Sequence, residues 1–387
     1  MSLIFAERLH PVKIKRLRFA DLLLTLLLGA CAESGPIEKA LSSGTPAVSK
    51  VMANLAQHEV QILFTEVIRM QDGRTVFQDD EFGMKDARYH YPASTVKLTV
   101  ALLALEKLQE DDRINRYTRF KVMGEPNGSS FTNELIELFV VSDNQAYNRL
   151  FEFLGKDEIN QRLSVKGLPA RISHRLSIPD SDVLTTRVMR FSGTSADPVV
   201  IGPIENSPIE PVSLSDLNKG VAYIENDEKI NAPFDFSEKN YLPLRSLHGV
   251  MKRLMFPENF TAEQRFHLSP AHRQFVISAM QKLPKEVGYE ETEFPDGYAK
   301  FLVFGDLEGR APERLEIHNK SGWAYGYLTD TAYILNKESG REFIITASIH
   351  VNANQTFNDN EYEYEELGVP FLGELGRQLI GFGEQSN

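Results

Sequence analysis

The segment YPASTVKLTVALLALEKLQ, residues 91–109, carries a serine and a lysine at a spacing that permits nucleophilic chemistry. On a helix, residues three positions apart lie on one face, so Ser94 and Lys97 would be neighbours. A serine hydroxyl attacks a carbonyl carbon only when a base takes its proton, and a lysine can be that base if burial lowers its pKa. The apolar residues that follow predict a buried helix. Taken alone, the pair favours the simpler interpretation, a serine at a helix start.

A second polar motif, Ser142-Asp143-Asn144, interrupts two helical apolar patterns. In a loop, the hydroxyl of Ser142 and the amide of Asn144 can face one cleft. There the hydroxyl can pass a proton and the amide can bind a carbonyl group. The alternative is a turn whose side chains cap the next helix, and for the isolated motif this alternative is favoured.

A third motif, Lys320-Ser321-Gly322, follows the strand-like run LEIHN. A lysine on a strand edge offers a positive charge to a substrate carboxylate, and Ser321 adds a hydroxyl donor. Gly322 would let a substrate approach the strand backbone closely. Taken alone, the motif is better interpreted as the polar end of a strand before a turn.

The elements around these motifs predict an α+β fold with an antiparallel sheet. A strand hairpin is predicted near residues 58–80, followed by the helix at 91–109 and two helices within 132–154. The last quarter predicts three strands and a closing helix. Residues 175–240 differ, because several prolines and few sustained periods indicate a long irregular insertion. Strands first, helices in the middle and strands again argue against regular βαβ alternation.

The three motifs, in this order and on these elements, resemble the signatures of class A β-lactamases and penicillin-binding proteins. The segments YPASTVKL and GWAYGYLTDTAYI, the latter including Asp330, also resemble family segments. The resemblance covers about residues 58–384. It implies a β-lactamase/transpeptidase-like fold, with an antiparallel sheet flanked by helices. An all-helical subdomain, about 92–285, would be inserted in sequence and would contain the irregular insertion at about 175–240.

The resemblance also implies the reaction, namely opening of β-lactam amides through an acyl-enzyme, as in antibiotic resistance and β-lactam catabolism. Ser94 would be acylated by the activated amide. Lys97 would be the base or part of the proton network. Ser142 would relay a proton to the leaving nitrogen. No cofactor is implied.

The same resemblance implies which residues hold the substrate, a small-molecule β-lactam or a peptidoglycan-like peptide. Asn144 would bind the side-chain amide of the substrate, and Lys320 with Ser321 would bind its carboxylate. Gly322 would allow the close approach. The backbone N–H group of Trp323, with that of the nucleophile, would form the oxyanion hole. The side chain of Trp323 could line the cleft or could serve only to pack the fold, and the sequence leaves both interpretations open.

One family feature is missing. In class A enzymes a glutamate that precedes an asparagine by four positions activates the deacylating water. No Glu-x-x-x-Asn occurs between Leu150 and Asn240. Glu205 or Glu210 could fold into the cleft, although surface carboxylates are the simpler interpretation. Two alternative functions therefore stay open: a penicillin-binding D,D-peptidase or esterase with slow deacylation, and a non-catalytic surface lipoprotein.

The N-terminal segment predicts export and lipidation. A basic stretch that includes Lys13 and Arg18 precedes the short apolar run 22–28, which ends in Leu-Gly-Ala-Cys. This pattern resembles a bacterial lipoprotein signal. Residues 1–30 would be removed, Cys31 would carry the lipid, and residues 31–57 would be a tether. The catalytic domain would then be anchored to a bacterial membrane, in the periplasm or outside the cell. The alternative is a buried cysteine on an N-terminal helix.

Composition excludes some functions. The 387 residues are 42% hydrophobic and 25% charged, which is typical of a globular protein with a large core. The net charge of -12 and the pI near 5.4 disfavour nucleic-acid binding, which needs a basic face. No His-Glu-x-x-His motif and no Cys/His cluster occurs, so no metal site is predicted.

Overall fold

The computed structural model describes residues 34–192, 198–307 and 312–381. Helices surround a central sheet and also fill the middle of the chain. The helices are α1 Pro36–Leu41, α2 Pro46–Met52, α3 Leu55–His58, α4 Val96–Leu108, α5 Phe131–Val140, α6 Asn144–Leu154, α7 Lys156–Val165, α8 Leu244–Met255, α9 Pro270–Gln281 and α10 Val369–Leu379. A 3-10 turn, Ala93–Thr95, leads into α4, and a π-helical turn, Tyr364–Gly368, leads into α10.

The strands form one large sheet and several small ones. They are β1 Gln61–Arg69, β2 Thr75–Phe82, β3 Arg119–Val122, β4 Met189–Ser192, β5 Val199–Ile201, β6 Asn218–Lys219, β7 Ala222–Glu225, β8 Glu228–Ile230, β9 Phe234–Asp235, β10 Leu315–Ala324, β11 Tyr327–Asn336, β12 Glu342–His350 and β13 Thr356–Phe357. The large sheet has the order β10-β11-β12-β1-β2, and every neighbouring pair in it is antiparallel. The predicted hairpin and the three late strands are therefore confirmed.

The large sheet has an apolar core on each face. On one face, α1, α2 and α10 pack against the sheet through side chains such as Ile37, Val48 and Leu372. The other core joins α4 to α9 and reaches the sheet at Tyr333 and Ile344. Helix α4 runs through this second core with almost no exposed side chain. The helix that follows the nucleophile candidate is thus held rigidly on all sides.

The N-terminal helices correct one prediction. Residues 36–58 form α1, α2 and α3 instead of a free tether, and the side chains of Ile37 and Val51 are almost completely buried. The Ser, Gly and Pro content suggested a linker, but apolar side chains at helical spacing were enough to dock these short helices. The predicted signal peptide and Cys31 lie outside the described residues.

The insertion predicted at 175–240 contains short strands as well as irregular backbone. Strand β4 pairs with β3 and β5, and β7 pairs with β8 and with β13 from the end of the chain. Aromatic side chains, including Phe236 and Phe357, form a third small core where this region meets the β10–β11 turn. The segment therefore packs beside the candidate site. Within the described ranges, no helix combines the length and hydropathy of a membrane span.

Candidate active site

The three sequence motifs meet in one cleft of about 620 Å³. The start of α4, the turn between α5 and α6, and strand β10 supply its centre. Six of the predicted residues line the cleft: Ser94, Ser142, Asn144, Ser321, Gly322 and Trp323. Lys97 and Lys320 reach the same place, because both hydrogen-bond to Ser142. The structure thus brings together every residue that the sequence proposed for the site.

Ser94 lies in the 3-10 turn that precedes α4. The preceding Ala93 has a φ of +47°, a left-handed conformation that costs a non-glycine residue free energy and recurs at functional sites. The turn is held by the Thr95 hydroxyl, which donates to the carbonyl oxygen of Pro92 at 2.6 Å. Among the described residues no hydrogen bond engages the Ser94 hydroxyl, which faces the cleft. The Ser94 hydroxyl is therefore open to the cleft and does not cap helix α4.

Lys97 is fully buried one turn further along the helix. Its Nζ donates to Asn144 Oδ1 at 2.7 Å, to Ser142 Oγ at 3.1 Å, and to the Ser142 carbonyl oxygen. Burial lowers the pKa of Lys97 well below its usual value, and the nearby charge of Lys320 lowers it further, while Asp143 opposes both. A lysine whose pKa is lowered in this way gives up its proton more readily than a free lysine and can then act as a base.

The turn between α5 and α6 satisfies both interpretations of its motif. Asp143 caps α6, because its Oδ1 accepts a hydrogen bond from the Ala146 N–H at 2.6 Å. Ser142, with a φ of +55°, instead turns its hydroxyl to the cleft. There Ser142 Oγ accepts from Lys97 Nζ at 3.1 Å and from Lys320 Nζ at 2.9 Å. This hydroxyl connects the two lysines and can pass a proton between groups in the cleft.

Lys320 and Ser321 lie inside β10, the edge strand of the sheet, and not at its end. Successive side chains of a strand point to opposite faces, which sends Lys320 to Ser142 and Ser321 away from it. Ser321 Oγ donates to the Ala299 carbonyl oxygen at 2.8 Å. Burial lowers the pKa of Lys320 to about 7, although the carboxylate of Asp330 works against this shift.

Gly322 allows β10 to contact the nucleophile turn directly. A Cβ on this residue would lie 2.9 Å from Ser94 Cα and closer still to the backbone nitrogen of Ser94. Only glycine fits here without moving backbone. The close approach places Ser94 beside the strand that carries Trp323, so the residues with the two predicted oxyanion donors are neighbours.

Asp330 on β11 supports the segment beside Ser321. Its carboxylate accepts the N–H groups of Phe301 and Leu302 at 3.0 and 3.1 Å, and burial raises its pKa. The anchored segment includes Ala299, whose carbonyl oxygen binds the Ser321 hydroxyl. In the sequence, Asp330 stands out only as part of a segment that resembles the family. Nothing local predicts its hydrogen bonds to Phe301 and Leu302, because these residues are 28 or more positions away in the chain.

Sequence reasoning missed Ser177, a cleft residue in the loop after α7. Its hydroxyl accepts a hydrogen bond from Asn144 Nδ2 at 3.0 Å, and its φ is +52°. No local sequence motif indicates that this single serine lies in the cleft. Neighbouring Arg175 is fixed by the buried carboxylate of Glu152, with N–O distances of 2.8 and 2.9 Å, which holds the loop in place.

No acidic side chain lines the cleft within the part of the chain that the structure describes. Glu205 accepts a hydrogen bond from the Thr185 hydroxyl at 2.7 Å, and neither it nor Glu210 borders the cleft. In the same described ranges, no group of His, Cys, Asp or Glu side chains is arranged to hold a metal ion. The polar side chains that line or reach the cleft are lysines, hydroxyls and amides, together with His174 and Arg175.

A Ser-x-x-Lys at a helix start, a Ser-Asp-Asn between helices and a Lys-Ser-Gly on an edge strand, joined in one cleft, define the class of β-lactamases and penicillin-binding proteins. The chain belongs to the β-lactamase enzyme family, whose sequence model (Beta-lactamase2) matches residues 47–379. The predicted α+β, β-lactamase/transpeptidase-like fold is thereby confirmed.

Similar solved structures come from this class. One is a β-lactamase from Sphaerobacter thermophilus, with 13% identity, coverage of 90% of this chain and 97% of that one, and a TM-score of 0.48. Another is the L158E mutant of PBP-A as an acyl-enzyme with penicillin G, with 14% identity, coverage of 91% and 97%, and a TM-score of 0.49. The chromosome-encoded β-lactamase of Vibrio parahaemolyticus has 12% identity, coverage of 87% and 98%, and a TM-score of 0.49. Among curated proteins there is no significant match.

Proposed function

We propose that this protein is a serine hydrolase of the class A β-lactamase type that opens β-lactam amides through an acyl-enzyme on Ser94. The observation that carries the proposal is the Ser142 hydroxyl, which binds both buried lysines beside the turn that presents Ser94. Nucleophile, base, proton relay and carboxylate anchor are then all within one cleft. Each is a common side chain whose reactivity is changed by burial and by neighbouring groups.

The acylation step uses these groups in sequence. Neutral Lys97 takes the proton of Ser94 as its oxygen attacks the lactam carbonyl carbon, and backbone N–H groups stabilise the resulting oxyanion. As the carbon–nitrogen bond breaks, the proton passes through the Ser142 hydroxyl to the leaving nitrogen. The product is an ester on Ser94 whose acyl group still carries the former lactam nitrogen as an amine, and the base is again neutral.

A second candidate follows from the cleft lining. Since no carboxylate borders the described cleft, no group of that type is in place to activate water against the ester. This observation favours slow deacylation, as expected of a penicillin-binding D,D-peptidase that acts on a peptidoglycan-like peptide, or of an esterase. Both candidates share the acylation chemistry on Ser94 and differ in the lifetime of the ester.

The test is to incubate the protein with a penicillin while following intact mass and β-lactam absorbance together. Ser94→Ala, Lys97→Ala and Ser142→Ala should each slow or abolish acylation, whereas the control Ser164→Ala, on the exposed face of α7, should not. Rapid loss of absorbance without a lasting adduct supports a β-lactamase. A lasting adduct supports the second candidate. Neither adduct nor absorbance loss would contradict the β-lactamase and the penicillin-binding peptidase, and would leave a different ester or amide substrate or a non-catalytic surface lipoprotein.

We also propose that Cys31 is lipidated and anchors the protein to a bacterial membrane, with the catalytic domain in the periplasm or outside the cell. The support is the basic stretch, the apolar run and the Leu-Gly-Ala-Cys ending of the N-terminal sequence. Metabolic labelling of the full chain with a fatty acid should label the wild type and not Cys31→Ser. Equal labelling of the two chains would refute lipidation at Cys31.

A further inference from the structure

One wall of the cleft is built from aromatic rings that the acylation chemistry does not require. These side chains line the same cavity as the nucleophile candidate: Tyr298, Phe301, Trp323, Tyr325, Tyr362 and Tyr364. They come from the segment before β10, from β10 with its turn to β11, and from the segment that leads into α10. Three separate parts of the chain thus contribute rings to one surface.

Trp323 lies at the centre of this wall. Its indole is nearly parallel to the ring of Phe301, with centroids 5.4 Å apart at 23°, and to that of Tyr364, with centroids 5.4 Å apart at 16°. The ring of Tyr298 meets it edge-on at 6.4 Å. Yet Trp323 remains 38% exposed, the one large apolar side chain of the described cleft that stays so open. A rigid indole with this much exposed surface can pack against a ring of the ligand, through the part that its neighbouring rings leave uncovered.

The strand places this indole beside the predicted carboxylate anchor. Ser321 and Trp323 are two residues apart in β10, so their side chains point to the same face, one repeat of the strand from each other. The contacts agree, because the Ser321 hydroxyl binds the carbonyl oxygen of Ala299 and the Trp323 indole contacts Phe301 of the same segment. Lys97 and Asn144 lie across the cleft, on the helical side.

We infer that the Trp323 wall is a specificity subsite for a flat ring on the half of the substrate that carries the carboxylate and the leaving nitrogen. This inference rests on the proposed function, since it uses Ser94 acylation and the Lys320–Ser321 anchor to orient the substrate. A ring attached near the carboxylate stacks on the indole when the anchor is occupied. Ligands with a small group at that position leave the indole exposed to solvent and bind more weakly than ligands with a ring.

The probes are two cephalosporins with identical 7-acyl groups, one with a methyl and one with an aryl substituent at C3, next to the carboxylate. Trp323 is the only tryptophan of the chain, so its fluorescence reports occupancy of the wall directly. In Ser94→Ala, which prevents acylation, the aryl compound should change the fluorescence and bind about tenfold more tightly than the methyl compound. Equal dissociation constants would overturn the inference.

Acylation kinetics separate this inference from the proposed function. In the wild type the aryl compound should acylate Ser94 with a second-order rate constant about tenfold above that of the methyl compound. Trp323→Phe keeps a ring and should keep the preference, and Trp323→Leu should lose it. If both compounds acylate equally in the wild type, the subsite is wrong and the proposed function stands. If neither acylates Ser94, the proposed function itself fails, and the fluorescence titration still decides whether the wall binds a ring.

Discussion

Lys97 and Lys320 both donate to the Ser142 hydroxyl, although two buried cations so close repel each other. Burying an ammonium group is costly, and the cost falls if the group releases its proton. The charge of Lys320 is among the causes that lower the pKa of Lys97, after burial itself. The arrangement favours one charged and one neutral lysine. The proposed roles need this difference, because the base, Lys97, must be neutral and the carboxylate anchor, Lys320, must be charged.

We predict a bell-shaped pH profile for acylation. Below the lowered pKa of Lys97 the base is protonated and the rate falls with falling pH. Above about pH 7, Lys320 loses its proton, since its pKa is lowered to about 7, and the rate falls as the anchor loses its charge. Second-order acylation rate constants measured from about pH 4 to about pH 9 would show both limbs.

Lys320→Arg is the matched variant for this profile, because a guanidinium keeps its charge at every pH of the experiment. The alkaline limb should move to higher pH or disappear, and the acid limb should stay. An unchanged alkaline limb would show that Lys320 does not cause it.

A carboxylate introduced at Ser177 should shorten the life of the acyl-enzyme. Ser177 Oγ lies 3.0 Å from Asn144 Nδ2, and the other atom of that amide, Oδ1, binds Lys97. Ser177→Glu would thus supply the water-activating group that the described cleft lacks, and general-base catalysis contributes about 10²-fold or more. Intact mass after a short pulse of penicillin would follow the decay of the adduct.

The control for this experiment is Ser164→Glu, which adds the same charge on an exposed position of α7. Its adduct should last as long as that of the wild type. If the adduct of folded Ser177→Glu also persists unchanged, Ser177 does not occupy the position of a deacylating base.

At the scale of elements, the contact between β10 and the nucleophile turn determines the geometry of the cleft. Gly322→Ala would push the strand from Ser94, because the new Cβ would lie 2.9 Å from Ser94 Cα. A displacement of about 1 Å in a reacting group can cost about 10²-fold in rate, so acylation should fall by about that factor. Acylation kinetics with penicillin, together with thermal unfolding, would measure both effects.

Gly340→Ala is the matched control, because its Cβ would meet nothing within 4 Å although its φ is +69°. It should lower the free energy of unfolding by about 1 kcal/mol and leave the acylation rate unchanged. A Gly322→Ala variant that acylates as fast as this control would contradict the proposed role of the close approach.

The N-terminal helices should contribute to stability, which a tether would not. Ile37 is 1% exposed in the core that α1 shares with α10 and the sheet. Ile37→Ala should therefore lower the free energy of unfolding by about 2–5 kcal/mol. The control Lys50→Ala, an exposed position of α2, should change it by less than about 0.5 kcal/mol. Urea unfolding would distinguish a docked helix from a tether, for which both values would be near zero.

The sequence predicted the elements and motifs of this site but not the contacts between distant parts of the chain. Ser94, Lys97 and Ser142 could be predicted because the three motifs in their order resemble the signatures of a known family, although each motif alone favoured a simpler interpretation. The Ser177 hydroxyl and the aromatic wall could not, because their places depend on how separate loops fold onto one cleft. The tether prediction was wrong for residues 36–57 because composition outweighed a short apolar pattern.

At the scale of the whole molecule, the described residues from Gly35 onwards belong to one compact unit. The cleft takes Ser94 and Ser142 from the helical core side and β10 from the sheet side, so it depends on both cores. We predict a single unfolding transition. The fluorescence of Trp323 in the cleft and the far-UV circular dichroism of the whole chain should change at the same denaturant concentration. A fluorescence transition that precedes the loss of circular dichroism would contradict this prediction.

Strand β1 pairs with β12, so that Gln61 lies opposite Ser348. A chain that leaves the ribosome in order makes the β1–β2 hairpin before β12, so one edge of this hairpin has no partner until the helical middle of the chain, β10 and β11 have been made. Lys320 is also made late, long after Ser94 and Ser142. A growing or prematurely ended chain therefore exposes an unpaired strand edge, a hazard for aggregation, while its serine lacks the anchor of the finished cleft. Under the proposed function, efficient acylation of Ser94 therefore has to wait until β10, which carries Lys320, has been made.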